Sequence, residues 1–174
     1  MQLQKPLTST SKLVNSDNIL YLLWDESENT NRLIGFLKIG HKQLFLYDNQ
    51  MKTYQGTLIA LLDFYIHFSC QRKGFGKKLF DFMLEKENVE PHEIAFDNPS
   101  VTLLCFLAKK YGLTNPIWQN TNFVVFPDLF KSNEMDEKCI RNMEDSMASD
   151  SSAASRSNEA RLRKAHILSS KPLW

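Results

Sequence analysis

The chain has 174 residues, 43% of them hydrophobic, and 21 Lys plus Arg against 20 Asp plus Glu give a formal net charge of +1. That length suits one domain plus a tail, with a core large enough to hold without staples. The near-neutral balance excludes a general nucleic-acid binder, which carries a basic surplus, and no apolar run reaches membrane-span length.

Residues 1–17 are polar and Ser/Thr-rich, an irregular lead-in without the apolar core of a signal peptide. Residues 19–24, Ile-Leu-Tyr-Leu-Leu-Trp, form an apolar run of strand length, and the polar cluster at 25–31 reads as a turn. Residues 33–39 predict a second strand. Gly40-His41 then reads as punctuation, with 43–47 the returning strand of a hairpin and His41 in its turn. Residues 48–56 are expected to form a loop. The longest strand candidate is 58–68, with Leu58, Ala60, Leu62, Phe64, Ile66 and Phe68 on one face. Ile59, Leu61, Asp63, Tyr65 and His67 alternate onto the other. Its first half is apolar on both faces, which places it inside a sheet.

Beyond a glycine-containing loop, Phe75, Leu79, Phe82 and Met83 repeat at helical spacing, with Lys77, Lys78, Asp81 and Glu85 turned away. Pro91 is expected to end that segment. Residues 93–96 form a short strand ending at Asp97. Asn98-Pro99-Ser100 is a helix-start signal. The following helix carries Leu103, Leu104, Leu107 and Tyr111 on one stripe, Lys109 and Lys110 in its last turn, and Gly112 as a left-handed cap. Residues 122–126 make a final strand. Trp24 and the twelve Phe residues read as core.

Six of the fourteen residues from 145 to 158 are Ser, too few apolar groups to offset ordering entropy, so disorder is expected. Residues 159–168 read as a basic helix too short to be stable without a partner. The division is a lead-in at 1–17, a domain at 18–130 and a tail at 131–174. Antiparallel strands first and a β-α-β-α unit later predict a mixed α/β (α+β) fold. Cys70, Cys105 and Cys139 are odd in number and form no C-x-x-C pair. They fit neither a disulfide framework nor a zinc site, and no His/Cys/Asp/Glu cluster has metal-ligand spacing. Reduced, partly buried thiols in a cytoplasmic protein are expected. His67, beside Asp63 and Tyr65, reads as a hydrogen-bonded structural group.

The segment that carries chemistry is Gln71-x-x-Gly74-x-Gly76, between a strand and a helix. Glycine lets the backbone turn tightly and approach a ligand, and the first helical amides are free donors at the positive end of the dipole. Together they make a cradle for a phosphate or diphosphate, with Arg72, Lys73, Lys77 and Lys78 adding positive charge. It is neither a dinucleotide fingerprint nor a P-loop: Leu79 stands where a third glycine would be, and Gly-Lys-Ser/Thr is absent. Taken alone, such a loop is more often a ligand-free turn.

Behind a long antiparallel strand, Q/R-x-x-G-x-G/A resembles the coenzyme A signature of the GNAT acetyltransferases. Leu62-Asp-Phe-Tyr-Ile-His67, Ser69, Gln71-Arg72, Gly74, Gly76, Met83-Leu84, Val89-Glu-Pro-His92, Ala95, Asp97, Pro99-Ser100, Leu103-Leu104, Phe106-Leu107 and Tyr111 are similar to the α-tubulin N-acetyltransferase (Mec-17) family. Residues 34–38 and 122–126 match that family's early hairpin and last core strand, so the likeness spans about residues 6 to 130. It implies a GNAT-like, mostly antiparallel twisted sheet flanked by helices, with the N-terminal part shortened. It also implies acetyl transfer from acetyl-CoA, without metal, to a lysine of α-tubulin. The implied setting is a monomer on cytoplasmic microtubules, with no nucleic-acid or membrane partner.

The resemblance places coenzyme contacts on Phe64, Tyr65, Ile66, His67, Phe68, Ser69, Cys70, Gln71, Arg72, Lys73, Gly74, Phe75, Gly76 and Lys77. It adds Ser100, Leu103, Leu104, Phe106, Leu107 and Lys109 from the following helix. A substrate lysine, with a pKa of about 10.4, must lose a proton before it can attack. From spacing alone Asp97 reads as a helix cap. The resemblance makes it the essential aspartate that removes that proton or orients the lysine. Three departures are visible: Ala60 replaces an active-site cysteine, Asn98 replaces an arginine, and Gln2 lies one position out of register with an important glutamine near where this chain starts. A short N-terminus and Ala60 together imply impaired activity. Two alternatives follow: a catalytically weakened relative that binds microtubules or coenzyme, and a GNAT enzyme for another protein lysine.

Overall fold

The computed structural model describes residues 10–25, 32–131 and 165–170. A short helix, α1 (Thr10–Val14), precedes β1 (Ile19–Asp25), β2 (Arg32–Tyr47) and β3 (Thr53–Ile66). Then come α2 (Phe75–Glu87), β4 (Ala95–Asp97), α3 (Val101–Tyr111), β5 (Ile117–Trp118), β6 (Phe123–Val125) and β7 (Ala165–Ser170). The sheet order is β5-β6-β4-β3-β2-β1-β7. Its pairs are antiparallel except β3–β4 and β1–β7. This is the mixed α/β architecture expected, a mostly antiparallel sheet with helices. α2 packs its Leu79, Phe80 and Met83 onto Tyr21, Leu37, Ile39 and Leu61 of the first three strands, and α3 adds Leu107.

Several local expectations are corrected. Residues 33–47 form no hairpin: β2 runs straight through Gly40 and His41, and Gly40 pairs with Ala60. A Cβ on Gly40 would meet the tip of the Asn18 side chain and, at 3.3 Å, a methyl of Leu62. The real turn is at 48–52, where the Asp48 carboxylate accepts the Gln50 and Lys52 amides at 2.8 and 2.9 Å. The lead-in contains α1. α2 ends at Asn88, in a left-handed cap with φ 52°, before Pro91, which opens a short 3-10 turn. Phe45 and Phe68 are surface residues, 61% and 75% exposed, not core. In the tail, Ala165–Ser170 is a strand parallel to β1 rather than part of a basic helix. Cys139 and the Ser-rich 145–158 segment lie outside the described residues.

The most consequential difference is a bulge in β3. Lys38 pairs with Asp63 but Ile39 pairs with Leu61, leaving Leu62 as an extra residue. The insertion reverses the alternation of the strand. Ile59 and Leu61 now share a core with Phe64 and Ile66, whereas Leu58, Ala60 and Leu62 join Leu44, Leu46, Val125 and Leu129 in a second cluster. The single apolar face expected for 58–68 is therefore split in two.

Candidate active site

β4 pairs with β3 only at Ala60–Ala95 and Leu61–Phe96. Past the bulge, β3 keeps β2 on one side, while its other side opens toward the start of α2 and the length of α3. A groove of about 590 Å³ occupies this opening. Phe64, Ile66, Leu103 and Phe106 give it an apolar wall. Arg72, Lys77, Lys109 and Lys110 give it four cations, and Gln71, Ser100, Thr102 and Cys105 complete the polar lining.

Gly74 and Gly76 sit at the mouth of α2 and both line the groove. They serve different ends. Gly74 has φ +86°, and a Cβ built on it meets nothing within 4 Å. Its need for glycine is conformational, and the space beside it is open. Gly76 has ordinary backbone geometry, and its Cβ would touch Phe64 and Ile66 at 3.5 and 3.7 Å. The first turn of α2 has no side-chain cap, and its first intrahelical bond runs from the Lys78 amide to the Gly74 carbonyl at 3.1 Å. The amides before Lys78 are left to face a ligand or water.

Neighbouring groups hold this mouth in place. The Gln71 side-chain amide donates to the Ile66 carbonyl at 2.9 Å, tying the loop to the end of β3. Ser69 Oγ accepts from the Arg32 guanidinium at 2.9 Å and lies 2.8 Å from His67 Nδ1. His67 is thus hydrogen-bonded in the turn, as its sequence context suggested.

Eleven of the residues expected to hold coenzyme line the groove: Phe64, Ile66, Gln71, Arg72, Gly74, Gly76, Lys77, Ser100, Leu103, Phe106 and Lys109. The others stand elsewhere. Leu107 is fully buried in the core, with Leu104 and Phe75 packed against it. Tyr65 alternates to the opposite face of the sheet, its ring 5.8 Å from that of Phe36. His67, Phe68, Ser69 and Cys70 form the turn that follows β3, and Lys73 is exposed. Sequence reasoning missed Thr102, Cys105 and Lys110, although their spacing with Leu103, Phe106 and Lys109 marks one helical face.

Asp97 ends β4, its backbone paired with Phe123, and is exposed. It is not the cap of α3. That role belongs to Ser100, whose Oγ accepts the Leu103 amide at 3.2 Å. Asn98, with φ 41°, turns the chain away, and its amide donates to the Asn122 carbonyl at 3.0 Å. Among the described residues the Asp97 carboxylate has no hydrogen-bond or ion-pair partner. Ala60, two residues before the bulge, is fully buried against Ala95. Among the described residues no group of three or more His, Cys, Asp or Glu could hold a metal ion, and no helix is long and apolar enough to cross a membrane.

The donor set fits a long ligand with an apolar arm and a strongly anionic end. The arm would lie along Phe64, Ile66, Leu103 and Phe106, and the anionic end among the free amides and four cations. Gly74 leaves a cradle that no side chain fills.

Comparison with known proteins agrees with this geometry. The family model described as GNAT acetyltransferase, Mec-17, matches residues 1–158. An α-tubulin N-acetyltransferase 1 of Caenorhabditis elegans is 43% identical, the match covering 100% of this chain and 83% of the relative. An α-tubulin N-acetyltransferase of Schistosoma japonicum is 45% identical over 75% of this chain and 52% of the relative. One of Aedes aegypti is 44% identical over 74% of this chain and 47% of the relative. The chain thus spans about half the length of these last two. With the family model covering most of its length, the chain belongs to the Mec-17 family of GNAT acetyltransferases.

Proposed function

We propose that this chain transfers the acetyl group of acetyl-CoA to a lysine side chain of α-tubulin in cytoplasmic microtubules, acting as a monomer. The observation that carries the reading is the groove at the mouth of α2, with an apolar wall leading to four cations, in a member of this family. Phe64, Ile66, Leu103 and Phe106 would hold the pantetheine arm. The α2 amides, Arg72, Lys77, Lys109 and Lys110 would hold the phosphates. Bound acetyl-CoA supplies the activated acetyl thioester. The protein's own task is to deprotonate and aim the incoming lysine, which is an ammonium at neutral pH. Asp97 suits that role because Ser100 caps α3 and leaves the carboxylate unengaged, three residues from a groove-lining position.

Microtubules incubated with labelled acetyl-CoA and the protein should gain label. Asp97→Asn should abolish transfer while coenzyme still binds. Label retained by that variant would remove Asp97 from the chemistry. A second reading has one observation in its favour: Ala60, buried where the family carries cysteine, offers no ionisable group. On that reading the chain binds coenzyme or microtubules without turnover, and measurable transfer would dismiss it. Transfer to other protein lysines, but not to tubulin, would favour a different acceptor.

A further inference from the structure

Of the four cations in the groove, Lys77 has a built support. Its Nζ lies 2.6 Å from Asp81 Oδ2, one turn further along α2. The other carboxylate oxygen, Asp81 Oδ1, accepts the Tyr111 hydroxyl at 2.7 Å from the end of α3. The Lys77 ammonium also stands 5.6 Å from the centre of the Tyr111 ring. Tyr111 is itself fixed, with its ring 5.0 Å from buried Phe80 and 5.7 Å from groove-lining Phe106. Among the described residues Arg72, Lys109 and Lys110 have no ion-pair partner.

Stability does not account for the Lys77–Asp81 pair. The Lys77 and Asp81 side chains are 45% and 43% exposed, and ion pairs that open to solvent contribute little to folding. Position does account for it. An ammonium has three donors, and Asp81 engages one side of it, leaving donors for an anion in the groove. A long lysine fixed in advance loses less side-chain freedom when a ligand arrives. Burial first, then the Asp81 hydrogen bond, raises the Tyr111 phenol far above its ordinary pKa, so the hydroxyl remains a donor.

We propose that Asp81 and Tyr111 are positioning residues for the coenzyme, acting through Lys77 by holding its ammonium at the phosphate end of the groove. The proposal rests on the acetyl-CoA reading above. Its test is a double-mutant cycle read by calorimetric titration with coenzyme A, using the full chain, Lys77→Met, Tyr111→Phe and the double variant. Tyr111→Phe keeps the ring and removes only the hydroxyl. Lys77→Met is expected to weaken binding about tenfold, the scale of one lost charge-assisted hydrogen bond, and to flatten the salt dependence of the affinity. Tyr111→Phe is expected to weaken binding about threefold in the otherwise unaltered chain and not at all in the chain that already carries Lys77→Met. Equal weakening in both backgrounds would mean that Tyr111 acts by packing, and would overturn the proposal while leaving the acetyl-CoA reading intact. Unchanged affinity in either single variant would also overturn it. If the unaltered chain fails to bind coenzyme A, the acetyl-CoA reading falls and the proposal falls with it.

Discussion

Gly74→Ala and Gly76→Ala should change stability in opposite directions and coenzyme binding in the same direction. At Gly74, φ is +86° and an added Cβ meets nothing within 4 Å, so the protein suffers only the strain of an L residue in the left-handed region. That costs about 1 kcal/mol, or roughly 2–4 °C in Tm for a chain of this size. At Gly76 the backbone is ordinary, and the added methyl makes normal contact with Phe64 and Ile66 at 3.5 and 3.7 Å. Alanine there restricts the unfolded chain and favours helix, a gain of about 0.5 kcal/mol and a small rise in Tm. In the groove both methyls occupy space beside the α2 amides. Loss of one charge-assisted hydrogen bond from those amides costs about 1.5–3 kcal/mol, roughly tenfold to a hundredfold in Kd. Thermal melting without ligand reads the first quantity, and calorimetric titration with coenzyme A reads the second. If Gly76→Ala destabilises as strongly as Gly74→Ala, the backbone argument is wrong. If both variants bind coenzyme A as the parent does, the mouth of α2 is not the phosphate site.

Gln119→Ala should destabilise the fold by about 2–3 kcal/mol in urea unfolding, because the buried amide both accepts the Tyr47 N–H at 2.7 Å and donates to its carbonyl at 3.0 Å. A loss below a few tenths of a kcal/mol would show that water replaces those bonds. The Tyr21 and Tyr111 phenols are raised by burial and then by their bonds to Glu87 and Asp81, so they keep their protons in the fold after an unfolded chain, titrating near pH 10, has lost them. Their contribution to stability is therefore complete below about pH 10 and falls as pH rises beyond it. Phenolate absorbance should show a late phase that coincides with loss of circular dichroism and disappears in the Tyr21→Phe, Tyr111→Phe variant; its persistence would refute the assignment.

Local signals were legible where one residue dictates one geometry. Gly112 closes α3 with φ +68° and Gly74 opens α2 in the left-handed region, whereas the cap read at Asp97 falls to Ser100, three residues on. Patterns that depend on register were not legible. Gly40 looks like a turn residue in sequence, yet it pairs with Ala60 in the middle of β2, beside an Asn18 side chain that only the fold brings there. The alternation from Leu58 to Phe68 looks continuous, because nothing local announces the extra residue at Leu62. The glycine loop was legible as a phosphate cradle, whereas the groove-lining Ser100, Leu103, Phe106 and Lys109 came only from the family resemblance. The tie from Lys77 through Asp81 to Tyr111 was not legible, since it joins residues that meet only when two helices pack.

The bulge also explains why the groove is where it is. Without it, Phe64 and Ile66 would share a face with Ala60 and turn away from α2, whereas with it they join the core that includes Leu79 and Phe80. The groove can therefore have an apolar wall on the β3 side only past Leu62. β4 stops pairing with β3 at Leu61–Phe96, one residue before the same point, and its next residue, Asp97, pairs on its other side with Phe123. A longer β4–β3 ladder would close the opening. Strand divergence and a reversed face are consequences of one inserted residue and one short strand. Coenzyme A binding, read by calorimetric titration, should accordingly fail when Leu62 is deleted, even if the sheet survives; retained affinity would refute the link between bulge and groove.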